Sequence, residues 1–165
     1  MVFFLINLII LLTVITVIII LIQGAIYVPS SNKAIETIIT LSEVKKGDRV
    51  ADLGSGDGRI VIEFAKKGAK VTGFEINPLL VLISRINMRK KRLEGNAVIY
   101  WKSYWGTDLS KFNIVTVFGI DYIMKRLKKK LKKELKPGSK LLINIFPFPN
   151  WEYIHKENGV YLYKI

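Results

Sequence analysis

The chain has 165 residues, with 26 lysines and arginines against 13 acids and a net charge of +13. It contains no cysteine and one histidine, which excludes disulfides, thiolate metal sites, cysteine nucleophiles and any multi-histidine metal centre. Apolar and charged residues are segregated. No Asp, Glu, Lys or Arg occurs from Met1 to Asn32, so all the charge lies in a remainder the size of one domain.

The stretch from Met1 to Ile22 has Asn7, Thr13 and Thr16 as its only polar side chains. About 22 residues at 1.5 Å each give roughly 33 Å as a helix, the thickness of a bilayer's hydrocarbon core. There is no basic n-region and no small-residue cleavage site, and the segment is neither Arg-rich nor amphipathic. It therefore reads as a transmembrane anchor rather than a signal or transit peptide. Basic residues begin at Lys33, so the positive-inside rule places the following domain on the cytoplasmic side, as a single-pass membrane protein. Residues 23–31 form a linker of at most about 30 Å. It holds domain 32–165 against the membrane surface.

Ser30 or Ser31 is a plausible cap for a helix to Val44, with Ala34, Ile35, Ile38, Ile39 and Leu41 as its apolar stripe. A turn at Lys46-Gly47-Asp48 leads to a strand, Arg49 to Leu53, and then to the glycine-rich run Gly54-Ser55-Gly56-Asp57-Gly58. A helix from Arg59 to Lys67, ended by Gly68, precedes a strand from Lys70 to Glu75, and Pro78 opens a helix through Lys91. Further strands are expected at Ala97 to Trp101, Asn113 to Phe118 and Lys140 to Phe146. A long helix from Asp121 to Leu135 is stopped by Pro137-Gly138. The last stretch reads as a hairpin, Trp151 to His155 and Val160 to Lys164, around Glu157-Asn158-Gly159. Strands alternating with helices imply an α/β domain: a parallel sheet wound on both faces, with ligands at the carboxyl ends of its strands.

The glycine run lies between a strand and a helix, where a ligand can approach backbone N–H groups at a helix N-terminus. Its spacing is G-x-G-x-G rather than the G-x-G-x-x-G of dinucleotide sites, and Asp52 stands two residues before the first glycine. That acid repels a pyrophosphate and suits an ammonium group. Glu75, at the end of the second strand, is placed to take both hydroxyls of a ribose. The ligand implied is a nucleoside joined to an amino acid.

These residues resemble the class I S-adenosylmethionine-dependent methyltransferases, over about Val28 to Ile165. More narrowly they resemble the membrane-anchored lysine methyltransferases that modify the ATP synthase c subunit and the adenine nucleotide translocase. The matching stretches are Val28-Pro29-Ser30, the run from Asp52 to Val61, Phe74-Glu75-Ile76-Asn77-Pro78, Phe118-Gly119 and Phe146-Pro147-Phe148-Pro149-x-Trp151. The resemblance implies a Rossmann-like seven-stranded sheet, compact and with a shortened C-terminus that leaves little room for the usual sixth helix. It implies S-adenosyl-L-methionine as cofactor, with Asp52, Gly54, Ser55, Gly56, Asp57 and Gly58 around the methionine moiety, Glu75 at the ribose, and Asn77 and Phe118 beside them. Ser103 stands where an acid often holds the adenine amine, so that contact falls to Ser103 or to backbone. Asp121 stands where the family more often has an uncharged residue.

Methyl transfer to a lysine is an in-line displacement for which alignment and closeness do most of the work. The lysine must first lose a proton, and moving its pKa from about 10.4 to about 7 corresponds to roughly 4–5 kcal/mol. Desolvation and an adjacent cationic sulfonium both act in that direction, so no dedicated base is required. Pro29, Phe146, Pro147, Phe148, Pro149 and Trp151 are candidates for an aromatic substrate channel, whose ring faces favour a methylated ammonium. Asp121 is a weak catalytic candidate and more simply a cap for the helix it begins. The run Lys125 to Lys136 is the solvated face of an amphipathic helix, with Met124, Leu127, Leu131 and Leu135 as the inner stripe. Beside a membrane it would attract anionic headgroups, and nucleic acid is not the expected partner. His155 reads as structural.

Protein-lysine methylation of a membrane protein is thus the leading expectation. A methyltransferase for a membrane lipid or quinone, an RNA methyltransferase, and a non-catalytic tethered cofactor-binding protein are the alternatives.

Overall fold

A computed structural model describes residues 2–23 and 28–165, with side chains described for 2–16 and 28–165. Helix α1 runs Val2–Gln23, and its polar side chains Asn7, Thr13 and Thr16 each donate to the carbonyl four residues earlier. Among the described residues no helix is long and apolar enough to cross a membrane, so the expected transmembrane span is not shown. Met1 and residues 24–27, the first of the anchor and much of the linker, lie outside the described residues.

The domain follows as α2 Asn32–Ser42, β1 Arg49–Leu53, α3 Arg59–Lys66, β2 Lys70–Glu75, α4 Pro78–Lys90 and β3 Ala97–Trp101. After a 3₁₀ turn at Tyr104–Gly106 come β4 Ile114–Phe118, α5 Asp121–Glu134, β5 Lys140–Asn144, β6 His155–Glu157 and β7 Val160–Lys164. The seven strands form one sheet in the order β3-β2-β1-β4-β5-β7-β6, parallel from β3 to β5 and antiparallel in the final hairpin. The hairpin begins at His155 rather than Trp151, and β5 stops at Asn144 rather than Phe146. The cause at β5 is backbone geometry: Ile145 adopts φ 71°, left-handed and costly for a β-branched residue, which breaks the ladder.

Side chains alternate across a strand, so strand parity decides which face each residue joins. Val50, Val71, Ile114 and Leu142 point into an aliphatic core beneath α2, α3 and α4. Ala51, Phe74, Val115 and Ile143 point into a second core covered by α5 and rich in rings, including Tyr104, Phe112, Phe148 and Tyr163. On the first face the same parity carries Asp52, Glu75, Thr116 and Asn144, all buried. Gly73 shares that side, where a Cβ would stand 2.5 Å from Ile99 Cδ1 and 2.7 Å from Ser55 Oγ.

Candidate active site

Asp52, one residue before the end of β1, and Glu75, at the end of β2, share one face of adjacent strands, with the 54–58 loop beside them. Ser31, not Ser30, caps α2: its side chain accepts from Ala34 N. Ser30 is buried and pinned twice, its Oγ accepting from Asn144 Nδ2 (2.9 Å) and its carbonyl from Arg59 Nη1 (2.9 Å). The chain that leads from α1 thus enters the domain between the end of β5 and the start of α3.

The glycine loop differs from the expectation of free N–H groups. The N–H groups of Gly54 and Ser55 both donate to Phe74 O, Gly56 N–H to Glu75 Oε2, Gly58 N–H to Ser55 O and Arg59 N–H to Asp57 Oδ1. A loop whose donors are spent internally cannot wrap a phosphate. What it offers is space and negative charge. Gly54, at φ 80°, has nothing within 4 Å of a Cβ position, whereas a Cβ at Gly58 would meet Ser84 Cβ at 2.9 Å, so Gly58 is the packing point of α3 on α4. Arg59 pairs with Asp57 at 2.8 Å, bracing the loop's outer turn.

Glu75 is positioned before any ligand arrives. Its Oε1 accepts from Ile76 N and Asn77 N, both at 2.8 Å, and its Oε2 from Gly56 N at 2.9 Å. A carboxylate has about four acceptor positions, so roughly one remains for a hydroxyl rather than the pair expected. Asp52 accepts from Thr116 Oγ1 at 2.6 Å. Burial pushes its carboxyl up to about 7; the Thr116 bond opposes this, and the charges of Glu75 and Asp57 add to it. An acid so poised is well matched to a cationic ligand, whose charge would restore its ionised form.

The other candidates separate by where their side chains go. Ser55 Oγ is buried without a partner, turned inward beside Gly73. Asn77 Oδ1 accepts from Leu79 N and Leu80 N, and so caps α4. Ser103 is half-buried and caps the 3₁₀ turn through Trp105 N. Phe118 is half-buried at the end of β4, edge-on to Phe146 at 6.3 Å. Asp121 is not the expected cap: Ile120 holds that position without a side-chain bond, and Asp121 is the exposed first residue of α5.

In the proline-rich segment, Pro29, Pro147 and Pro149 are exposed, and Phe146 and Trp151 are half-buried. Phe148 is buried, stacked on Trp151 at 5.1 Å, with its N–H donating to Tyr163 Oη, so it anchors the loop instead of lining a passage. Sequence reasoning missed the clamp on this loop. Lys128 Nζ donates to the carbonyls of Pro149 and Asn150, and Lys132 lies 4.6 Å from the Trp151 ring centre. The spacing of these lysines from the stripe residues Leu127 and Leu131 was the only signal. His155 is exposed at the start of β6.

A doubly wound sheet with an acid pair flanking a glycine loop, and no phosphate cradle, defines a class I S-adenosylmethionine-dependent methyltransferase. Residues 52–155 match the ANTKMT methyltransferase domain, and the chain belongs to that family. It is 39% identical over 129 residues to the human (Homo sapiens) lysine N-methyltransferase of the ATP synthase c subunit, covering 78% of this chain and 55% of that protein. The chain thus spans about half the length of that relative. It is 36% identical over 149 residues to a protein-lysine N-methyltransferase of Saccharolobus islandicus, covering 84% of this chain and 92% of that one. Among solved structures, an RNA methyltransferase from Salinibacter ruber in complex with S-adenosyl-L-homocysteine superposes with a TM-score of 0.80 at 29% identity. It covers 84% of this chain and 94% of that one.

Proposed function

We propose that this protein methylates the ε-amine of lysines on membrane proteins, with S-adenosylmethionine as donor, while α1 anchors it in the bilayer. The observation that carries the cofactor assignment is the Asp52–Glu75 pair, with Gly56 N–H already fixing Glu75. These residues fit the group: Asp52, its carboxyl pushed up to about 7, would pair with the ammonium, the remaining acceptor position of Glu75 would take a ribose hydroxyl, and open space at Gly54 would admit the methionine moiety. Ser103 and Phe118 stand at the carboxyl ends of β3 and β4, where they would border the bound cofactor. When bound, the cofactor supplies an electrophilic methyl group on a sulfonium.

The chain's own contribution is to desolvate and aim the amine. Phe118 and Phe146 present half-buried rings at the carboxyl ends of β4 and β5, and Trp151, stacked on Phe148, braces the loop that follows β5. Rings shed water from an entering lysine, favour its neutral form and then accommodate the methylated cation. Lys128 and Phe148 hold that loop in place. Asp121 favours the N-terminus of α5 through its charge.

The membrane assignment rests on the sequence from Met1 to Ile22 and on three satisfied polar side chains in α1, which remove the cost of taking them out of water. The domain lies on the cytoplasmic side. The exposed cations of α5, among them Lys125 and Lys129, add a salt-sensitive attraction to anionic headgroups. Protein as substrate is favoured by the lysine methyltransferases among the relatives.

The test is incubation of the full chain with native membranes and methyl-labelled cofactor. Label is expected in protein, on lysine. Label in lipid or RNA replaces the substrate assignment, and no label with intact cofactor binding makes the protein a tethered binder.

A further inference from the structure

Five parallel strands bring their carboxyl ends to one edge of the domain, and that edge carries an unusual set of exposed apolar side chains. They are Val28 (50% exposed), Leu79 (62%), Trp101 (66%), Tyr122 (58%) and Ile145 (47%). Val28 stands two residues before Ser30, and each of the others ends a strand or follows one within four residues. The opposite edge is made of the turns at 45–48, 67–69, 92–96, 110–113 and 136–139. Among the described residues those turns expose no large apolar side chain, and they and their margins carry exposed Lys45, Lys46, Lys67, Lys91, Arg92 and Lys136 instead. Single exposed apolar residues are ordinary. Others, among them Leu82, Ile86, Tyr153 and Ile154, lie elsewhere on the surface, so the contrast that matters is between the cleft edge and the edge opposite it.

The tether enters on the same edge. Ser30 is fixed to Asn144 and Arg59, and the chain from Gln23 to Ser30 reaches at most about 25 Å. The apolar edge is therefore the one held closest to whatever α1 occupies. Trp101 is suited to such a boundary: its Nε1 donates to Ile76 O at 2.9 Å, leaving the exposed ring fixed across the β2–α4 turn. Indole and phenol rings favour the membrane–water interface, where apolar body and polar tip are both accommodated.

We infer that the carboxyl-end edge is a bilayer-seating surface: Val28, Leu79, Trp101, Tyr122 and Ile145 rest in the interfacial layer and the cofactor cleft opens toward the membrane. The inference rests on α1 being an anchor. It narrows the substrate class to lysines at the membrane interface, and it leaves the basic edge facing water.

The absence of cysteine makes the test direct, because one introduced cysteine is the sole labelling site. Full-length variants Leu79→Cys, Trp101→Cys and Ile145→Cys, with Glu94→Cys and Lys136→Cys from the opposite edge, would each carry an environment-sensitive fluorophore. They would be reconstituted into vesicles of brominated phosphatidylcholine, which is neutral, so that attraction of the basic edge to anionic lipid plays no part. The expected result is quenching several-fold stronger at the first three positions than at the last two, with cofactor affinity unchanged in all five. Equal quenching on both edges, stronger quenching at Glu94→Cys and Lys136→Cys, or none at any position while α1 resists alkaline extraction overturns the inference alone. Release of the chain by alkaline extraction overturns the anchor and the inference together. Cofactor binding in the same vesicles shows whether the methyltransferase assignment stands apart from both.

Discussion

The two faces of the sheet are built from different materials. Beneath α2, α3 and α4 the core is almost wholly aliphatic, with Phe64 as its single ring among the fully packed residues. On the other face α5 lies alone, and rings fill what helices do not: Phe74, Tyr104, Phe112, Phe148, Tyr161 and Tyr163, with Trp105, Phe146 and Trp151 against them. The acids that suit the cofactor share the aliphatic side, and the loop that suits the amine is rooted in the aromatic side. Strand parity separates them, so the tight packing that fixes the acids is independent of the ring stacking that fixes the loop.

The largest expected effect is on the aliphatic face. Phe64→Ala removes a fully buried ring and should cost about 3–5 kcal/mol, read by urea denaturation. A loss below about 1 kcal/mol would show that this face repacks and is not the rigid one.

The second concerns Asp52, on the same face. Its folded pKa, about 7, lies above its unfolded value, so its contribution is present below about pH 4 and lost as pH rises through about 7. The unliganded protein should lose up to about 4 kcal/mol across that window. Binding of a cationic ligand should run the opposite way, strengthening as pH rises through about 7 and releasing a proton. Asp52→Asn should flatten both profiles, and calorimetry in buffers of different ionisation heat reads the proton directly. A wild-type affinity independent of pH would place the ammonium elsewhere.

The aromatic face should respond in rate as well as in stability. Trp151→Ala removes the stack on Phe148 and the contact with Lys132. A fall of about tenfold in kcat/KM for a lysine peptide corresponds to about 1.4 kcal/mol, with cofactor affinity unchanged. Equal losses in both would mean that the faces are coupled.

The smallest effect separates hydroxyl from ring within that face. Tyr163→Phe keeps the ring and deletes the acceptor for Phe148 N–H, at about 1 kcal/mol. Thermal melts that do not move would assign the anchoring to stacking alone.

How much of this was legible in the sequence follows the same division. Runs such as Arg49–Leu53 and Ile114–Phe118 announce strands, and Asp52, Glu75 and the glycine spacing announce the ligand, because those signals are local. Sequence leaves the α2 cap open between Ser30 and Ser31, and only the fold assigns Ser31 to the helix and Ser30 to Asn144. The consumption of the loop's N–H groups by Phe74 O and Glu75 was hidden, because those partners lie 19 or more residues away. The same holds for the Lys128 clamp, made across 21 and 22 residues. Asp121 misled because an acid opening a helix resembles a cap, and only the backbone shows that the cap position is Ile120.

The crowding at Gly73 has an evolutionary consequence. Ser55, Gly73 and Ile99 come from a loop and two strands, yet they share a space that has no room for one added carbon. The three positions are therefore free to drift only together. Homologues with alanine or larger at 73 should carry a smaller residue at 99, or glycine at 55, and a chain changed at 73 alone should be rare. An alignment in which position 73 varies without regard to the other two would show that the β2 backbone yields instead.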